Sequence, residues 1–220
     1  MNKLVSNADI VVVSAPSGTG KTTLNRRLVE EYPDKVEVAV SYTTRAIRNQ
    51  EVDGVHYRFV SKNHFANLLD SDGILEWAKV HDELYGTSIA EVERITQKGK
   101  TVILEIDVQG WKQARLKIPN ARSIFILPPS VATLWQRLER RGTDELAKRL
   151  RRMETARQEV SEGYLYEHFV INDELESAFE ALVSIVIQKK PSPLTQLQGR
   201  EYCERLLQEF SKGPWVENQI

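Results

Sequence analysis

Apolar residues recur along the chain in two rhythms. Asp9 to Ala15 and Thr101 to Asp107 are β-branched runs that read as strands buried on both faces. Lys21 to Tyr32 instead carries Leu24, Leu28 and Val29 at helical spacing, and Pro33 stops it. Val36 to Thr44 and Val55 to Val60 alternate apolar and polar residues, as half-exposed strands do, around a polar stretch from Arg45 to Gly54. A short helix over about 62–69, a strand region around Ile74 to Val80 and a helix from about Ile89 to Gln97 follow. The second half reads helix, strand (Ser123 to Leu127), helix (Val131 to Arg140), a long basic helix from about Leu146, strand (Phe169 to Ile171) and helix (Glu174 to Gln188). This alternation predicts an α/β fold whose parallel sheet carries helices on both faces. The block 36–90 breaks it with successive strands and reads as an inserted, mostly β subdomain. Past Pro191 the pattern weakens to one short amphipathic segment, Tyr202 to Phe210.

Composition narrows the class. The 220 residues, 41% hydrophobic, suffice for a sizeable core without staples, and 30 basic against 31 acidic side chains argue against binding nucleic acid by bulk charge. The longest purely apolar run, Ile10 to Val13, is far short of the roughly 20 residues of a membrane span. The N-terminus lacks the pattern of a secretory signal. Cys203 is the single cysteine, which excludes an internal disulfide and a thiolate zinc site. The expectation is a soluble, cytoplasmic protein without nucleic acid or membrane among its partners.

Between the first strand and the first helix lies Ala15-Pro16-Ser17-Gly18-Thr19-Gly20-Lys21-Thr22. Glycines there let successive backbone N–H groups converge on phosphate oxygens, and the helix N-terminus adds partial positive charge. Lys21 would reach the β- and γ-phosphates of ATP, and the Thr22 hydroxyl would ligate Mg²⁺. Ala15 stands where this motif usually begins with glycine. Asp107, ending the second buried strand, suits a metal-organising acid acting through water; away from a phosphate cradle an Asp there is an ordinary helix cap.

A second cluster follows the first half-exposed strand: Ser41-Tyr42-Thr43-Thr44-Arg45, then Arg48, Glu51 and Tyr57. Two arginines three apart in a loop can clamp a monophosphate, with Tyr57 adding a hydrogen bond; taken alone, the loop is an ordinary solvated one. Arg137 to Arg152 holds seven basic residues, which suit a mobile element that neutralises transferred charge, a solvated helix face or an RNA-binding stripe. His56, His64, His81 and His168 lack metal-ligand spacing, and Trp77, Trp111 and Trp135 read as packing residues.

Together with Gly54-Val55-His56-Tyr57, Leu75-Glu76, Tyr85-Gly86-Thr87-Ser88, Ile106 to Gly110, Arg141-Gly142-Thr143 and Val170 to Asp173, these motifs make residues 8 to 190 resemble the guanylate kinases among the P-loop nucleoside monophosphate kinases. The resemblance implies a P-loop NTPase-type core (1–35, 91–136, 159–190), a GMP-binding subdomain (36–90), a helical lid (137–158) and a tail of no assigned role (191–220). It implies phosphoryl transfer from ATP to GMP or dGMP, giving ADP and the diphosphate, by a monomer or homodimer. Ser41, Arg45, Arg48, Glu51, Tyr57, Glu76, Tyr85, Thr87 and Asp107 would form the GMP side. Residues 15–22, Arg137 and Asn172 would hold ATP, and Lys21, Arg45, Arg137, Arg141 and Arg152 would act on the transferring group. Guanine's edge presents two adjacent donors, which one carboxylate, Glu76, accepts with both oxygens, whereas adenine offers it a lone pair. Register along the second basic cluster selects Arg152 over Arg149, which shares its helix face. Two other readings are a peptide-binding scaffold, which would tolerate loss of the cradle, and a kinase for another small phosphate ester, which conflicts with Glu76.

Overall fold

In the computed structural model, residues 8–80, 82–140 and 145–217 are described. They form two compact units, one of residues up to Val12 with Tyr32–Ala121, the other of Val13–Glu31 with Arg122 onward, so that the division passes through the first strand, β1 (Ile10–Ser14).

In the first unit β7 (Thr101–Glu105) lies between β1 and β2 (Val36–Val38), and its pairing with β2 is parallel. Ile10 to Val12 and Val102 to Leu104 are almost completely buried, as runs without alternation predict. A second sheet has the order β4 (Arg58–Phe59), β3 (Tyr42–Thr43), β6 (Glu83–Ser88), β5 (Ile74–Val80). The unit's helices are α2 (Lys62–Asp70), α3 (Ile89–Thr96) and α4 (Val108–Lys117). The expected strand Val36 to Thr44 is in fact two strands of different sheets. Ala39 N–H still bonds the Ile103 carbonyl of β7 at 2.9 Å, and the next amide, Val40, facing away from β7, donates to the Glu91 side chain at 3.1 Å. Likewise, of the expected Val55 to Val60 strand, Arg58–Phe59 forms the strand beside β3, while Tyr57 makes an isolated bridge to Asp53. Tyr85 to Ser88, unassigned by periodicity, belongs to β6, which closes a tight hairpin with β5 through Val80 opposite Glu83.

In the second unit β8 (Arg122–Leu127) lies between β1 and β9 (His168–Ile171) and pairs β9 in parallel. Helices α1 (Lys21–Glu31), α5 (Val131–Arg140), α6 (Leu146–Ser161) and α7 (Leu175–Val186) pack around Phe125, Ile126, Leu134, Leu138 and Phe169, all fully buried. Each such side chain contributes about 1.5–3 kcal/mol of burial. The C-terminal segment exceeds its sequence expectation: α8 runs Gln196–Phe210, started by a Thr195/Gln198 capping box. It buries Gly199, Cys203, Leu206 and Phe210 along one stripe. Gly199 leaves room there for the Phe169 ring, which a Cβ would strike. A short α9 (Pro214–Glu217) follows, with Trp215 donating from Nε1 to the Phe210 carbonyl at 2.9 Å. Among the described residues, no helix is long and apolar enough to cross a membrane.

Candidate functional site

The donor half lies in the second unit. Residues 15–20 join β1 to α1, and the turn needs its glycines: Gly18 has φ +95° and Gly20 φ +106°, a region L side chains rarely enter. Both also lack space for a side chain, since a Cβ would meet Leu138 at 2.8 Å or Asn172 Nδ2 at 2.5 Å. Thr19 N–H donates to the Pro16 carbonyl at 3.1 Å and closes the turn. Lys21 opens α1, and Thr22 follows it with an exposed side chain.

Three sequence-selected side chains converge on this turn. Asn172, just past β9, donates to the Thr19 carbonyl at 2.6 Å. Arg137, from α5, spans the Thr19 carbonyl at 3.2 Å and the Asn172 carbonyl at 2.9 Å. Arg152, from α6, donates to the Ser17 hydroxyl through Nε at 3.1 Å and Nη2 at 2.6 Å. Arg149 is committed elsewhere: it pairs with Glu139 at 2.6 Å and lies 5.0 Å over the Trp135 ring. The two arginines share a helix but not an address. Arg141, Gly142, Thr143 and His81 lie outside the described residues.

The acceptor half lies in the first unit. A β-bulge separates Ile74 from Glu76 in the β5–β6 ladder and re-aims the strand, so that Ile74, Leu75 and Glu76 are all buried. Glu76 is 6% exposed, and its Oε1 accepts the Thr87 N–H at 2.9 Å. The Thr87 hydroxyl lies 3.3 Å from that of Ser41. Glu76 Oε2 points at Gly110, where a Cβ would approach within 2.7 Å. A carboxylate and two hydroxyls therefore share one small polar site.

In the arginine cluster the two guanidinium groups stand in different surroundings. Arg45 spends its fork on Glu51, at 2.8 and 3.0 Å, and donates from Nε to the Tyr85 hydroxyl at 3.1 Å. A further contact to the Ala46 carbonyl leaves one of its five N–H groups for a ligand. Glu51 also accepts the Arg48 backbone N–H at 2.8 Å, while the Arg48 side chain is exposed. Arg45, with the Arg48 amide assisting, holds the Glu51 carboxyl down at about 2, and Glu51 raises the Arg45 guanidinium still further above its already high value. Glu51 thus holds the Arg45 guanidinium in place. Tyr57 packs edge-on against Tyr85, ring centres 5.7 Å apart, and burial raises its hydroxyl above the ordinary range.

Asp107 caps α4, accepting the Gly110 N–H at 2.8 Å. Of the tryptophans read as packing residues, Trp111 is 4% exposed, but Trp77 lies on the outer face of β5 at 39%. Sequence reasoning missed Glu91, Arg58 and Glu139; only Ser88-x-x-Glu91 carried a local signal, that of a helix capping box.

A family model described as guanylate kinase matches residues 7–189. A guanylate kinase of Neisseria gonorrhoeae is 47% identical over 178 residues, covering 81% of this chain and 86% of that protein. One of Pseudomonas syringae pv. tomato is 42% identical over 208 residues, covering 91% and 96% respectively, so the match must run past residue 191. Among solved structures, a guanylate kinase from Anaplasma phagocytophilum superposes with a TM-score of 0.66 at 30% identity, over 84% of this chain and 87% of that one. With the family model matched over residues 7–189, and with relatives this similar over most of their length, the chain belongs to the guanylate kinase family.

Proposed function

We propose that the protein transfers the γ-phosphoryl group of ATP to GMP or dGMP, giving ADP and the nucleoside diphosphate, in cytoplasmic purine nucleotide metabolism. The observation that carries the catalytic reading is the intact cradle, with Gly18 and Gly20 at positive φ ahead of Lys21. A peptide-binding scaffold would have no use for it.

In this reading the cradle's backbone N–H groups and Lys21 bind the ATP phosphates, and Arg137 and Asn172 brace the turn that presents them. Arg152 meets the transferring group, and Arg141 assists. On the acceptor side Glu76 accepts guanine's two adjacent donors, and the Thr87 and Ser41 hydroxyls complete the base site. Arg45, held by Glu51 and Tyr85, meets the phosphate with Arg48 and Tyr57. Residues 36–90 serve as the acceptor subdomain and 137–158 as the lid. Transfer needs no covalent intermediate, because positioning and charge neutralisation do the chemistry.

Mg²⁺ fits the donor set. It keeps water and phosphate oxygens as most of its ligands and asks the protein for one or two oxygens. Thr22 would supply a hydroxyl, and Asp107, whose Oδ1 is used as a helix cap, would offer its other oxygen to a metal-bound water. The ion would neutralise charge on the β- and γ-phosphates. The enzyme acts on free nucleotides as a monomer or homodimer, without a nucleic-acid or membrane partner.

An ADP-release assay with ATP, Mg²⁺ and each of GMP, dGMP, AMP, UMP and CMP tests the assignment. Turnover of GMP and dGMP, with the others lower by about 10²-fold or more, is expected. Equal rates for AMP and GMP, or no GMP-dependent ADP release, would overturn it.

A further inference from the structure

Glu91 has no role in the acceptor site just described, yet at 3% exposure it is more enclosed than Glu76. It is the third residue of α3, and its backbone N–H donates to the hydroxyl of the N-cap, Ser88, at 3.1 Å. A glutamate there usually turns its carboxylate back to the N-cap amide. This one turns away. Oε1 accepts from Val40 N–H at 3.1 Å and from Arg94 Nη2 at 2.8 Å. Oε2 accepts from Arg94 Nε at 2.9 Å and from Arg58 Nη2 at 3.3 Å. Arg58 in turn gives its backbone N–H to the Ser41 carbonyl at 2.9 Å.

These contacts close a ring: from Glu91 to Val40, along the chain to Ser41, across to Arg58, and back to Glu91. Ser41 is adjacent to Val40 and Thr87 to Ser88, so both site hydroxyls lie one residue from a direct Glu91 contact. Burial opposes the charge, but Arg94, the Val40 amide and Arg58 outweigh it and hold the carboxyl below its usual range. A buried carboxylate with four donors is a rigid fixture. It also satisfies the Val40 amide, which faces away from β7 just after Ala39 has bonded the Ile103 carbonyl.

We propose that Glu91 is a positioning residue for the acceptor base, fixing the Ser41–Thr87 hydroxyl pair through Val40, Ser88 and Arg58 without touching the nucleotide. The inference rests on the acceptor-site reading above, and the order of measurement separates the two. GMP is first titrated against the wild-type protein; absence of binding would remove the acceptor reading and this inference with it. Given binding, Glu91→Gln keeps the shape and one acceptor for Val40 but loses the charge facing Arg58 and Arg94. Its Kd for GMP should rise by about tenfold, with affinity for a non-hydrolysable ATP analogue unchanged. In a double-mutant cycle, Ser41→Ala combined with Glu91→Gln should bind GMP no more weakly than about the worse single variant, because both act by breaking the same hydrogen-bonded Ser41–Thr87 pair. A lowered thermal midpoint with unchanged GMP affinity would mean a structural role only and would overturn the proposal, as would losses that multiply. If Glu91→Gln does not fold, Arg58→Met opens the same ring from its half-exposed side and must show the GMP-specific loss; unchanged affinity there overturns the proposal equally.

Discussion

In the proposed reading, the ligand at the phosphate cradle of the second unit is met largely by backbone amides together with Lys21 and Arg152, and other side chains nearby hold that backbone. Arg137 and Asn172 both bind the Thr19 carbonyl, and Asn172 occupies the space that a side chain at Gly20 would need. In the first unit the groups proposed to meet a ligand are side chains, and other side chains hold them. Glu51 and Tyr85 hold Arg45, and Glu91 holds the loop carrying Ser41. A backbone-built site is encoded by one short run of residues, because neighbouring amides point together only when the local φ values permit it. A side-chain-built site is dispersed over strands, loops and a helix, so its precision depends on second partners far away in sequence. A phosphate presents the same oxygens in any nucleotide, whereas a base must be told from other bases. The division of labour follows that chemistry.

Three substitutions test the contrast from its strongest side. Lys21→Ala and Arg152→Ala should each lower kcat by about 10³-fold or more, the range for groups that neutralise transferring charge, with folding intact. Arg149→Ala should stay within about tenfold, because that guanidinium is held by Glu139 and the Trp135 face and not by the cradle. Single-turnover kinetics at saturating ATP and GMP read all three. A large loss at Arg149 with near-normal rate at Arg152 would reverse their assignment.

A smaller effect is expected in the acceptor half. Arg45→Lys keeps the charge but cannot bridge both oxygens of Glu51 while also reaching Tyr85. KM for GMP should rise by about tenfold, with KM for ATP unchanged. Equal rises in both would mean that the Arg45–Glu51 pair supports the fold as a whole and not one ligand.

What the sequence disclosed follows the same division. The cradle, its flanking strand and helix, and Lys21 were legible directly, because motif and periodicity are local. Arg45 was legible as half of a phosphate clamp that a solvated loop explained as well, and Glu76 and Thr87 only through family resemblance, since nothing local distinguishes a base-reading Glu in a strand from an exposed one. The split of Val36 to Thr44 into two strands was hidden because it depends on distant partners: Val36 to Val38 pair with β7 and Tyr42–Thr43 with β6. The bulge before Glu76 was hidden for a related reason: buried Leu75 and Glu76 in succession contradict simple alternation, and only the opposing β6 strand shows why. Helix α8 was underestimated because its first half is polar apart from Leu197 and Gly199, and a glycine packed on Phe169 carries no apolar signal.

The separation of tasks is tested most directly at Glu76. Glu76→Gln keeps the side chain's size and an acceptor for the Thr87 N–H, but replaces the second acceptor oxygen with a donor. Steady-state constants for GMP, AMP and ATP in this variant and in wild type make the comparison. The account predicts that kcat/KM for GMP falls by about 10²-fold or more, that the preference for GMP over AMP shrinks, and that KM for ATP is unchanged. An unaltered GMP-to-AMP ratio, or a loss expressed equally in ATP, would contradict it.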